Sequence, residues 1–132
     1  MTLIATYALT DTEITLDNRG NQGNRLANVP LHSGSLWANY EFYKGPLSGL
    51  GLGMGVYLVD EREGNNEDTI KLPGYGRLDA FAAYKFTLGP TRLTAQVNVN
   101  NLTDETYHTT TGFGVNYFGA PRSVLGSIRI EF

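Results

Sequence analysis

Residues 49–58 read Gly-Leu-Gly-Leu-Gly-Met-Gly-Val-Tyr-Leu, with Leu50, Leu52, Met54, Val56 and Leu58 at every second position and glycine between most of them. A period of two describes a strand with one apolar face. A phosphate-cradling glycine loop needs a helix after it and an acidic residue about 20 positions on, and no helical pattern follows here. The glycines all fall on the other strand face, so they are expected to form a side-chain-free strip against which something packs closely. Working outward, the same period returns five times. Leu3, Ala5, Tyr7 and Leu9 alternate with Ile4, Thr6 and Ala8; Leu36, Ala38, Tyr40 and Phe42 with Ser35, Trp37, Asn39 and Glu41. Downstream, Leu78, Ala80, Ala82, Tyr84 and Phe86 oppose Arg77, Asp79, Phe81, Ala83 and Lys85, and Leu93, Ala95, Val97 and Val99 oppose Thr94, Gln96, Asn98 and Asn100. Val124, Ile128, Ile130 and Phe132 against Ser123, Ser127, Arg129 and Glu131 complete the set. No segment carries an i, i+3, i+4, i+7 stripe, so almost no helix is expected.

The connections alternate in length. Lys44-Gly45-Pro46 and Leu88-Gly89-Pro90 mark tight turns, whereas residues 17–30, 61–74 and 104–121 are long and polar. Short and long connections in alternation put every long loop at one end of an antiparallel, up-and-down sheet, which is the layout of outer-membrane barrels. The 132 residues suit one core, and no run approaches the ~18 apolar residues of a membrane-spanning helix. A net charge of −3 without a Lys/Arg cluster argues against a nucleic-acid partner. The absence of Cys removes disulfides, thiolate metal sites and thiol nucleophiles together. Met1 to Leu9 has neither the basic nor the sustained apolar region of a secretory signal, so the chain is expected to be either cytoplasmic or a piece of something larger.

Aromatic placement separates two architectures. If the long loops face outward, three apolar faces end at the turn end in Tyr40 and Phe42, in Tyr84 and Phe86, and in Ile130 and Phe132. Rings at one level match an interfacial girdle, making the expected fold all-β: about six antiparallel strands forming part of a transmembrane β-barrel. The alternative is a small soluble β-sandwich or barrel acting as a ligand-binding module, in which the same rings form one core layer.

Four segments together carry a resemblance: Asn28-Val29-Pro30-Leu31-His32 with Leu36-Trp37-Ala38-Asn39-Tyr40; Leu72-Pro73-Gly74-Tyr75 with Asp79 and Tyr84; Val99-Asn100-Asn101-Leu102-Thr103-Asp104 with Tyr107; and Tyr117-Phe118-Gly119-Ala120-Pro121-Arg122 leading to Phe132. In order and spacing they resemble the C-terminal part of the TonB-dependent siderophore receptors, ferrichrome-receptor-like transporters of the cell outer membrane. The resemblance implies a barrel of about 22 strands filled by a plug domain, of which residues 1–132 would be the C-terminal portion, with no plug. The implied partners are a ferric siderophore, outer-membrane lipid, the plug and the rest of the barrel, with TonB reached only through N-terminal regions absent here. Iron would arrive already chelated, so no protein-bound cofactor is implied. Ile128, Ile130 and Phe132 also resemble the terminal strand signal of such barrels, although Ser127 stands where glycine is usual.

The remaining polar groups do not assemble into chemistry. Asp60, Glu61, Glu63, Glu67 and Asp68 lack the spacing and the sixth-position glycine of a calcium loop, and are expected to form a solvated surface loop. His32 and His108 each lack a partner at metal-ligand spacing. No nucleophile elbow accompanies His108, Asp104 and Glu105, so neither catalysis nor a metal site is expected. The third long loop is the candidate ligand contact, because Tyr107, Phe113, Tyr117 and Phe118 lie among Gly112, Gly114 and Gly119. Rings on a glycine-spaced loop can close on an organic ligand.

Overall fold

The computed structural model describes residues 1–111 and 113–132; Gly112, counted above in the third loop, lies outside the described residues. Its strands are β1 (Thr2–Leu9), β2 (His32–Glu41), β3 (Leu50–Val59), β4 (Arg62–Glu63), β5 (Lys71–Leu72), β6 (Tyr75–Leu88), β7 (Thr91–Asn100), β8 (His108–Thr110), β9 (Asn116–Phe118) and β10 (Ser123–Glu131). The six long strands are those expected from the alternation. They form one antiparallel sheet in the order β1-β2-β3-β6-β7-β10, so each pairs with its neighbour among the long strands. The four short strands were not expected. They make two small hairpins, β4 with β5 and β8 with β9, inside the second and third long loops.

Register assigns every residue to a side. One rung of the apolar face runs Leu3, Ala38, Met54, Ala80, Val99, Val124, and two rungs nearer the turns Leu50, Tyr84, Ala95 and Ile128 line up. Among the described residues nothing covers this face: Leu36 is 46% exposed, Met54 50% and Ile128 73%. A sandwich would bury it against a second sheet. Ten residue steps along β6 separate Gly76 from Phe86, which is about 33 Å of strand at roughly 3.3 Å per residue and about 25 Å of height at the tilt near 40° usual in such barrels.

The opposite face is polar on β7 and β10 and carries the glycine strip on β3. Trp37 of β2 and Phe81 of β6 lie flat across that strip, their rings 6.0 Å apart and 13° from parallel. A Cβ on Gly55 would stand 1.9 Å from Trp37 Cε3, and one on Gly53 would stand 2.2 Å from Phe81 Cε1. The close packing expected over the glycines is thus supplied by rings from the two flanking strands. Gly55→Val is expected to push the indole off the sheet at a cost of about 1–3 kcal/mol. Because Trp37 is the sole tryptophan, its emission should shift to the red. Gly51→Ala meets only Ala83 O at 3.8 Å and should leave both stability and emission unchanged; equal effects from the two substitutions would refute the account.

Candidate functional site

The three long loops share one end of the sheet and are joined to one another. In the first, residues 10–31, the Asp17 carboxylate accepts hydrogen bonds from the amides of Arg19 (3.0 Å) and Asn21 (3.3 Å). These bonds, the Arg19 amide foremost, hold the Asp17 carboxyl below its ordinary range. A carboxylate with a depressed folded pKa stabilises above its unfolded pKa and loses that contribution as pH falls through the folded value. Acidification is therefore expected to lower the protection factors of the Arg19 and Asn21 amides before those of the sheet; unchanged protection through that range would refute the assignment.

The second loop folds around Asn65, whose Oδ1 accepts from the amides of Thr69 (3.1 Å) and Ile70 (3.2 Å). Backbone and amide contacts tie it to the first loop: the Asn28 amide to Glu63 O (2.7 Å), Asn24 Nδ2 to Asn66 O (2.9 Å), the Ala27 amide to Asn66 Oδ1 (3.0 Å) and the Arg25 amide to Asp68 Oδ2 (3.1 Å). This loop is not the wholly solvated surface expected from its charge. Glu63 is 8% exposed and ion-paired to Lys71, and Arg62 is 5% exposed. Arg62 sits at the junction of all three loops. Its Nε donates to Asn28 Oδ1 (2.9 Å), its Nη2 donates to His108 O, and the guanidinium lies over the Tyr75 ring at 5.2 Å. The only sequence signal was an arginine placed within an acidic run, which says nothing about burial.

The third loop is anchored at its base and open at its tip. Asn101, 1% exposed, donates through Nδ2 to Glu105 O (2.9 Å) and Ala120 O (3.1 Å) and accepts the Glu105 amide at Oδ1 (2.8 Å). Its own amide donates to Asp79 Oδ1 (2.8 Å), and Asp104 Oδ1 accepts the Arg122 amide (2.9 Å). Further out, Thr110 Oγ1 donates to Gly64 O (2.8 Å), and Asn65 and Phe113 form an antiparallel bridge.

The four loop aromatics fall into two groups. Tyr107 is packed, its ring stacked on Tyr75 at 4.1 Å and 13°. Phe113, Tyr117 and Phe118 are 81%, 51% and 73% exposed, with Phe118 tilted against His108 at 5.0 Å. Between the loop tips lies a cleft of about 420 Å³ whose lining includes Ile14, Asn21, Leu26, Asn65, Asn66 and Phe113. At the turn end Tyr40 and Phe42 meet edge to face at 4.7 Å and Tyr84 and Phe86 stack at 5.9 Å, all four on the apolar face in adjacent rungs. Phe132 follows β10, exposed. Among the described residues no three His, Cys, Asp or Glu side chains are grouped to hold a metal ion.

Residues 1–102 match the family model described as TonB dependent receptor-like, beta-barrel. The chain is 39% identical to the metal-pseudopaline receptor CntO of Pseudomonas aeruginosa, over 98% of this chain and 18% of that protein. It is 35% identical to the ferrichrome outer membrane transporter/phage receptor of Escherichia coli, again over 98% of this chain and 18% of the relative. Among solved structures, the ferric preacinetobactin receptor BauA of Acinetobacter baumannii superposes with a TM-score of 0.86 at 25% identity, covering 98% of this chain and 20% of that one. The chain thus spans less than a fifth of the length of these curated relatives.

Proposed function

The chain belongs to the TonB-dependent receptor β-barrel family, and from that premise we propose that residues 1–132 form the C-terminal portion of the barrel wall in a receptor that takes up ferric siderophores. The family is one of Gram-negative outer-membrane receptors and transporters, not of enzymes. The observation that carries the proposal is the unbroken apolar face, about as tall as the hydrocarbon band of an outer-membrane barrel, set below three interlocked loops. In this reading lipid covers that face, and Tyr40, Phe42, Tyr84, Phe86 and Phe132 sit at the turn-side membrane interface, where rings match headgroup depth. Tyr107, Phe113, Tyr117 and Phe118 belong to the vestibule, the exposed three touching the ligand and Tyr107 holding the loop base in place. Iron enters as part of the chelate. The plug and the contact with TonB lie in other parts of the receptor.

The test is uptake of radioactive iron by the receptor containing this segment, in cells stripped of their own siderophore receptors. Tyr117→Ala combined with Phe118→Ala is expected to raise the half-saturating ferric-siderophore concentration roughly tenfold, equivalent to about 1.4 kcal/mol, and deletion of TonB to stop uptake. Unchanged saturation in the double variant would remove the loop from the ligand site. Uptake that persists without TonB would remove the transport assignment.

A further inference from the structure

Arg62 buries a full charge without an ion pair. It is 5% exposed, and among the described residues no carboxylate pairs with its guanidinium. A buried charge held by neutral acceptors is costly, and the acceptors show what the arrangement achieves. Nε and Nη2 leave one planar, rigid fork in two directions. Nε donates to Asn28 Oδ1 (2.9 Å) at the end of the first loop, and the Asn28 amide donates back to Glu63 O (2.7 Å), so β4 is gripped through both side chain and main chain. Nη2 donates to the main-chain carbonyl of His108. His108 opens β8 and stands opposite Phe118 of β9, with Thr109 opposite Tyr117. The guanidinium therefore holds the hairpin backbone at the rung that carries Phe118. The His108 ring leans on Phe118 at 5.0 Å, so a shift of that backbone reaches Phe118 through both the ladder and the ring. The same guanidinium covers Tyr75, which is stacked on Tyr107, the residue before β8.

We propose that Arg62 is a positioning residue for ligand capture: without touching the ferric siderophore, it sets the place of the β8–β9 hairpin and with it of Tyr117 and Phe118. This rests on the assignment of those rings to the ligand site. The contacts that hold Arg62 come from Asn28, Tyr75 and His108, all within this segment, so neither the plug nor the rest of the barrel is needed to fix it. Farther along the hairpin, Thr110 Oγ1 donates to Gly64 O (2.8 Å) and Asn65 bridges Phe113. Loss of Arg62 should therefore loosen the inner rung without detaching the hairpin.

The experiment follows uptake of radioactive iron against ferric-siderophore concentration in cells whose sole siderophore receptor is the full-length receptor containing this segment, with the folded receptor in the membrane quantified alongside. Arg62→Met, which keeps an unbranched stem, is expected to raise the half-saturating concentration about fivefold and to leave the maximal rate per folded receptor unchanged. In receptor already carrying Tyr117→Ala and Phe118→Ala, it should add less than about 1.5-fold, because a residue that acts through those rings has nothing left to place. Arg62→Lys keeps the charge and loses the fork, so it should not rescue. Lys71→Gln removes an exposed cation of the same loop and should leave half-saturation unchanged. Asn28→Gly removes the Nε acceptor and suits the left-handed φ of 64 there; it should raise half-saturation about threefold with the same non-additivity, and it decides the matter if Arg62→Met does not fold. Equal fold-changes with and without the two rings, full rescue by lysine, an equal effect from Lys71→Gln, or a lower maximal rate at unchanged half-saturation would each overturn the positioning role while leaving the rings at the ligand. If Tyr117→Ala with Phe118→Ala alone leaves half-saturation unchanged, the ring assignment falls and the positioning role falls with it.

Discussion

Met54→Lys is expected to destabilise the folded protein in bilayers by about 2–4 kcal/mol, the cost of a charge near mid-membrane on the lipid side of a barrel. Met54 stands in the rung Leu3, Ala38, Ala80, Val99, Val124, whose partners on both sides are apolar, so the ammonium would find neither counter-ion nor water within reach. Asn98→Lys is the control. It lies one position along β7 from Val97 and Val99, on the polar face beside Gln96, and its cost should be near zero. The pair is best compared by the urea concentration at which the folded band, distinguished from the heat-denatured one, disappears on electrophoresis. Equal midpoints would mean that the apolar face does not contact lipid, and the barrel-wall assignment would fall.

Asn101→Ala is expected to cost about 2–4 kcal/mol and to release the base of the third loop. Its side chain makes three part-buried bonds from a position that is 1% exposed, and removing it deprives the Glu105 amide and two carbonyls of that partner, each bond contributing roughly 1 kcal/mol. The backbone adds to the loss, since Asn101 has φ 53, a left-handed conformation that Asn tolerates better than Ala. Amide exchange at Glu105 and loss of the Tyr75–Tyr107 stack should report the opening. Asn101→Asp, which keeps the Oδ1 acceptor and loses the two donors, should fall between. A fully protected Glu105 amide in the alanine variant would show that the loop is held by other means.

The strands were legible because each has two different sides. Alternation at Leu50 to Leu58 or at Leu93 to Asn100 is set by environments that differ across a sheet, and a slip of one residue would exchange them. The tight turns were legible too; Gly89 has φ 61, which glycine adopts readily. The loops were not. Strands of two or three residues, such as Arg62–Glu63 and His108–Thr110, have no period to detect, and their hairpins are docked by contacts between loops far apart in the chain. Charge also misled. The run from Asp60 to Asp68 reads as solvated because acidic residues usually are, yet Arg62 gathers Asn28, His108 and Tyr75 around itself and draws the loop inward. The glycine strip lay between these cases. Sequence showed that something must pack on it, but Trp37 and Phe81 sit 18 and 28 positions away from the nearest glycine they cover, on strands whose register only folding reveals.

The count of long strands is even, and that parity matters beyond this sheet. β1 and β10 are the two outer edges of the order β1-β2-β3-β6-β7-β10, and with each neighbour antiparallel to the last they run in opposite directions. A block bounded by opposed edges can be spliced between two adjoining strands of any antiparallel cylinder without reversing a single ladder. Each hairpin with its outer loop is the smallest such block. A wall assembled from these blocks can widen its circumference in steps of two strands, changing the size of what passes through while leaving every existing pairing intact.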